Sequence, residues 1–149
     1  MNAETPNNII ALGCDHAGYD MKEEVKSWLD DLGYQVQDLG THGPESVDYP
    51  DYGKAVAEAV ASGDAGCGIL VCGTGIGISI AANRVNGARA ALCRSGLEAR
   101  LAREHNDANI LALGARITGL EAARDCVNEF LNTPFGGDRH ARRVAKLDA

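Results

Sequence analysis

Short β-branched and apolar runs alternate along this chain with longer segments whose apolar positions recur at helical spacing. The runs at 9–14, 34–39, 68–72, 88–93 and 109–113 predict strands, and the segments at 20–32, 50–62, 76–84, 95–105 and 120–131 predict helices. That alternation predicts a parallel sheet covered by helices on both faces: a three-layer, Rossmann-like α/β domain with five strands. Gly33, Gly63 and Gly87 stand where a helix must stop before the next strand. No linker, repeat or low-complexity stretch divides the chain. It therefore reads as one domain over 1–149, with an N-terminal extension at 1–7 and a C-terminal helical tail at 136–149.

Composition supports this picture. The 149 residues are 45% hydrophobic and 23% charged, with 18 glycines and 4 prolines. A chain of this size buries roughly 70% of the surface it exposes when unfolded, so it needs neither disulfide nor metal to fold. Fourteen basic against 21 acidic residues give a formal charge of -7, which argues against nucleic acid or an anionic membrane as a partner for the whole surface. No apolar run approaches the roughly 18 residues that span a bilayer, and the polar start carries no basic signal, so a cytoplasmic protein is expected. Five cysteines, lying mostly inside apolar runs, suit reduced thiols.

In an open parallel sheet, ligands bind beyond the carboxyl ends of the strands. Cys14-Asp15-His16-Ala17-Gly18 follows the first predicted strand, Cys72-Gly73-Thr74-Gly75-Ile76-Gly77 the third, and Gly114-Ala115-Arg116 the fifth. Asp15, His16, Cys72, Thr74 and Arg116 are thereby expected on one rim. The glycine loop fails the P-loop pattern, because Ile78 and Ser79 follow Gly77, and fails the dinucleotide pattern, whose third glycine would stand at 78. What remains is a turn that brings backbone N–H groups close to a ligand and can hold negative charge, or simply a tight turn. Cys72 would sit near the positive end of the following helix, which favours a thiolate, with a buried core thiol the alternative, whereas Cys14, Cys67, Cys93 and Cys126 read as small core residues. No cysteines or histidines fall at metal-ligand spacing, so no metal is expected. His42 reads as a solvated loop residue and His105 as the end of a helix. Arg139 and Arg143, four apart in the tail, would share a helix face as a forked receptor for phosphate or carboxylate; a solvated basic end on an acidic body is the alternative.

Taken in order, Gly13-Cys14-Asp15-His16-Ala17-Gly18, Asp48-Tyr49-Pro50, Cys72-Gly73-Thr74-Gly75-Ile76-Gly77-Ile78-Ser79, His105-Asn106-Asp107 and Gly137-Asp138-Arg139-His140 resemble the ribose-5-phosphate isomerase B family. The resemblance runs from about 8 to 144. It implies interconversion of D-ribose 5-phosphate and D-ribulose 5-phosphate through a cis-enediolate, in the pentose phosphate pathway and without metal or organic cofactor. It also implies a homodimer whose active sites draw on both subunits, with a tetramer the alternative. Related members act on allose or galactose 6-phosphate. Carried onto this chain, the resemblance makes Cys72 the base between C2 and C1, with Thr74 assisting at the sugar oxygens. His105 becomes the acid that opens the furanose ring, with Asp15 its partner. Asn106 and the backbone of Gly73, Gly75, Ile76 and Gly77 become binders of the enediolate, while His16, Arg116, Arg139 and Arg143 become phosphate and substrate contacts and Tyr49 lines the sugar. Two other readings stay open beside the isomerase: a thiol-dependent transferase or hydrolase with a covalent intermediate at Cys72, and a sugar-phosphate binding module without catalysis.

Overall fold

The computed structural model describes residues 7–148. The expected extension lies outside them except for Asn7, whose side-chain amide donates to the carbonyl of Gly63 at 2.9 Å. The elements run β1 (Ile9–Cys14), α1 (Tyr19–Asp31), β2 (Gln35–Asp38), α2 (Tyr49–Ala61), β3 (Cys67–Cys72), α3 (Ile76–Asn83), β4 (Ala90–Leu92), α4 (Gly96–Asn106), β5 (Ile110–Gly114), α5 (Leu120–Asn132) and α6 (Arg139–Leu147). The expected strands and helices are all present. The largest departure is β4, shortened from 88–93 to three residues on the sheet edge. Its ladder cannot extend backwards because the Arg89 N–H is taken by the Asn109 side chain at 2.7 Å.

The strands form one parallel sheet in the order β2-β1-β3-β5-β4. Because successive strand residues face opposite sides, Ile10, Leu12, Ile69, Val71, Leu111 and Leu113 pack under α1, α4 and α5, while Ala11, Leu70, Cys72, Ile110 and Ala112 pack under α2 and α3. The direction of winding reverses between β1 and β3, so the crevice of this doubly wound sheet opens at their carboxyl ends. Each helix brings the chain back to the amino end of the sheet. The tail is helical as expected: α6 carries Arg139, His140, Arg142 and Arg143 and buries only Val144.

A charged pair is built into this framework. Lys22 lies on the buried stripe of α1 with Met21, Val25, Trp28 and Leu29, and its side chain is fully buried. Its ammonium donates to both oxygens of Asp38 at 2.9 Å and to the carbonyl of Thr41 at 2.7 Å. Lys26 reaches Asp38 at 3.2 Å, and the Gly40 N–H donates to it at 3.0 Å. Burial opposes charge on Lys22, but the bonds to Asp38 outweigh it and hold the ammonium above its usual range. Burial likewise opposes charge on Asp38, and Lys22, the Gly40 amide and Lys26 outweigh it, holding the carboxyl below its usual range.

A depressed carboxyl stabilises the fold above its ordinary pKa of 3.8, and that stabilisation disappears as pH falls through the lowered value. The raised Lys22 contributes fully below 10.5 and loses its contribution as pH rises through its folded value. Chemical denaturation should therefore show a smaller acid-side loss of stability in Lys22→Met/Asp38→Asn than in the native chain. Lys22→Met alone, which strands a buried carboxylate, should cost about 3 kcal/mol at neutral pH. Equal acid-side losses in the native chain and the double variant would remove the pair as a source of pH dependence.

Candidate active site

Three loops meet where the crevice opens. Cys14 is in register with Val71, and Cys72 with Gly114, so the residues that follow β1, β3 and β5 emerge side by side. Backbone bonds tie these exits together: Asp15 N–H to the Val71 carbonyl at 3.2 Å, Ala115 N–H to Cys72 at 2.9 Å and Arg116 N–H to Gly73 at 2.8 Å. Asp15, buried at 7% exposure, accepts the Gly18 N–H on one carboxylate oxygen at 3.0 Å. His16 accepts the Val47 N–H on Nδ1 at 3.1 Å, so its neutral ring carries the proton on Nε2. The Arg116 side chain covers Gly73, and the Tyr49 ring lies directly against Gly77. The rim expected from the sequence thus exists: carboxylate, imidazole, thiol, hydroxyl and guanidinium, with Tyr49 beside them.

The loop that carries Cys72 is held by its own polar groups. Gly75, at φ 78° and capping α3, donates its N–H to the Cys72 sulfur at 3.1 Å. The Ile76 N–H goes to the Thr74 hydroxyl at 3.2 Å. Two of the loop amides expected to face a ligand are therefore engaged within the loop, while Gly77 and Ile78, in the first turn of α3, have no acceptor inside the helix. Cys72 is buried, at 4% exposure. Burial does not single it out, since Cys67 is at 6%; the Gly75 bond and its place in the loop do. The other four thiols are core residues. Burial pushes Cys14, Cys67 and Cys93 up to about 12 and Cys126 to about 11.

The remaining expected site residues lie elsewhere. His105 and Asn106 end α4, four residues before β5 begins, so they stand at the amino end of the sheet. The five-residue β5 separates that end from the rim by about 13 Å of strand. His105 stacks on His140 of α6, ring centroids 4.5 Å apart and planes at 17°. Arg139 and Arg143 flank His140 on the same short helix, and a cleft there is lined by His105, Asn106, His140, Arg143, Val144 and Leu147. Burial, then the charges of Arg139, His105 and Arg143, hold the His140 imidazole below its usual range. The chain thus carries two polar clusters at opposite ends of one sheet. Among the described residues, no three His, Cys, Asp or Glu side chains converge as a metal site would require, and no helix is long and apolar enough to cross a membrane.

Comparison with known proteins decides what this layout belongs to. Residues 10–147 match the family described as Ribose/Galactose Isomerase. Ribose-5-phosphate isomerase B of Escherichia coli is 48% identical over 140 residues, covering 94% of each chain. The structure of Clostridium thermocellum ribose-5-phosphate isomerase B superposes with a TM-score of 0.93 at 57% identity, covering 94% of this chain and 95% of that one. That of Thermotoga maritima gives 0.92 at 54%, covering 94% and 97%. This chain belongs to the ribose/galactose isomerase family. For a member of that family, the sequence motifs located both clusters without indicating their separation. Two features of the surrounding structure carry no motif. The Val47 amide left no side-chain signal, whereas Lys22, one step from Met21 and in line with Val25 and Leu29, is a charge on an apolar stripe and was legible as an anomaly.

At pH 8 a thiol with a pKa of about 12 is ionised to roughly one part in ten thousand, and Cys126, at about 11, to roughly one part in a thousand. Iodoacetamide should therefore leave Cys14, Cys67, Cys93 and Cys126 untouched in the native protein and enter first at Cys72, as peptide mass spectrometry would read. Native-state labelling of the four at the rate seen in denaturant would refute their placement.

Proposed function

We propose that this protein is a ribose-5-phosphate isomerase that moves a proton between C2 and C1 of the open-chain sugar with Cys72 as base. The observation that carries the reading is the β3–α3 loop, where the Cys72 sulfur accepts the Gly75 N–H beneath a rim of Asp15, His16, Thr74 and Arg116. The C2 proton of a sugar is weakly acidic, so its removal needs a positioned base and donors for the oxyanion that forms beside it. Cys72 supplies the first. The first-turn amides of α3 and the Thr74 hydroxyl, which still has its own proton to give, supply the second. Proton transfer by a placed base is worth about 10²–10⁴-fold and one oxyanion donor about 10²–10³-fold, so neither suffices alone.

The functional unit is a homodimer in the cytoplasm, where reducing conditions suit five thiols. His105 opens the furanose ring with Asp15, and Asn106 helps hold the enediolate, yet His105 and Asn106 sit at the far end of their own sheet. A second copy can present its α4 end and α6 to this rim, so that His16 and Arg116 of one protomer and Arg139 and Arg143 of its partner grip the phosphate. That grip, remote from the reacting carbons, holds C1 and C2 against the sulfur. Tyr49, against Gly77, lines the sugar. A single chain holding Cys72, Thr74 and His105 together suits a self-sufficient enzyme and favours the pentose phosphate over a hexose 6-phosphate.

Cys72→Ala should lower kcat for ribose 5-phosphate by about a thousandfold or more while leaving thermal unfolding nearly unchanged. Appreciable turnover in a folded variant would remove Cys72 as the base. Mixing and refolding Cys72→Ala with His105→Ala chains should restore activity towards about a quarter of native, because half of the dimers then carry one intact site of two. No recovery from a mixture that forms heterodimers would mean that each site comes from one chain.

A further inference from the structure

Lys22 plays no part in the reaction above, yet it is a fully buried charge seated beside the rim. An ion pair in such a place is often no more stabilising than an apolar replacement, so what it connects is more informative than its strength. Lys22 stands one turn into α1, directly after the Asp15–Gly18 turn, and its own N–H bonds to the Gly18 carbonyl at 2.8 Å. Its ammonium holds Asp38, the last residue of β2, and the carbonyl of Thr41. Cys14 fastens the same segment through its backbone, donating to Gly40 at 2.7 Å and accepting from Thr41 at 2.9 Å. From there the chain runs without regular structure to α2, and on the way the Val47 N–H meets His16 Nδ1. The strap at 41–48 is thus anchored by Lys22 at its start and touches the rim near its end, just before Tyr49 settles on Gly77.

We propose that Lys22 is a positioning residue whose clamp on Asp38 and Thr41 sets the strap at 41–48, so that the Val47 amide fixes the orientation and tautomer of His16. With Nδ1 occupied as an acceptor, Nε2–H is left as the donor His16 offers to an anionic oxygen. A strap free to drift would release Nδ1, let the ring turn and populate the other tautomer, whose Nε2 meets a phosphate oxygen with a lone pair instead of a proton. The inference rests on the reading of His16 as a phosphate contact.

The test uses the full-length protein with ¹⁵N-labelled histidine, the His16 signals identified by their loss in His16→Asn. In the native chain His16 should show the Nε2–H tautomer, and the Val47 amide should be protected from hydrogen exchange. In Lys22→Met/Asp38→Asn, which removes both charges together, the tautomers should mix and Val47 should exchange about tenfold faster. KM for ribose 5-phosphate should then rise roughly three- to tenfold with kcat within about twofold. Val47→Pro, which deletes the N–H and keeps the ion pair, should reproduce the tautomer mixing, and it tests the strap if the double variant does not fold. A folded double variant, or Val47→Pro, with an undisturbed His16 tautomer overturns the proposal. Tautomer mixing with unchanged KM supports the clamp and instead refutes His16 as a substrate contact.

Discussion

The turn from β3 into α3 passes so close to the end of β5 that neither chain has room for a side chain there. A Cβ on Gly75 would stand 2.5 Å from Leu92 and 3.0 Å from the Leu113 carbonyl, and one on Gly114 would strike the backbone of Thr74. Gly75 also needs the left-handed backbone region, which other residues enter at a cost. Because the loop is pressed into this space, the Gly75 N–H points at the Cys72 sulfur and the first turn of α3 opens toward the crevice. The chemistry proposed for Cys72 follows from a backbone path that glycine alone permits.

Topology imposes a second condition. In a parallel sheet every connecting helix carries the chain from the carboxyl end back to the amino end, so a residue closing a helix cannot share a rim with residues that leave the strands. His105 and Asn106 close α4, and α6 docks beside them through Val144 and the His105–His140 stack. An enzyme that needs both groups on one substrate must bring two rigid ends together from different molecules. The sharing of sites between two copies proposed above follows from that winding.

Charge is distributed to match. The body is acidic, yet Arg139, Arg142 and Arg143 are gathered on one exposed helix turn at the amino end, and Arg116 stands at the other. In the dimer proposed above, these two ends would come from different copies and could grip one phosphate. The buried Lys22–Asp38 pair has another character: locked inside one chain, it joins α1, β2 and the strap, and so acts on geometry more than on the field outside.

The layered α/β plan, the five strands, the tail helix and the identity of the rim residues were legible in the sequence, because hydrophobic period and glycine placement are local properties. Cys72 and its glycines were recognisable for the same reason, being contiguous in the chain. The strand order, the bond from Gly75 to sulfur, the seat of Lys22 and the hold of Val47 on His16 were not, since each joins residues that only the packing of separate elements makes neighbours. The same holds for the distance between Cys72 and His105: a linear string of motifs has order but no ends of a sheet, and it took three-dimensional winding to put one cluster at each.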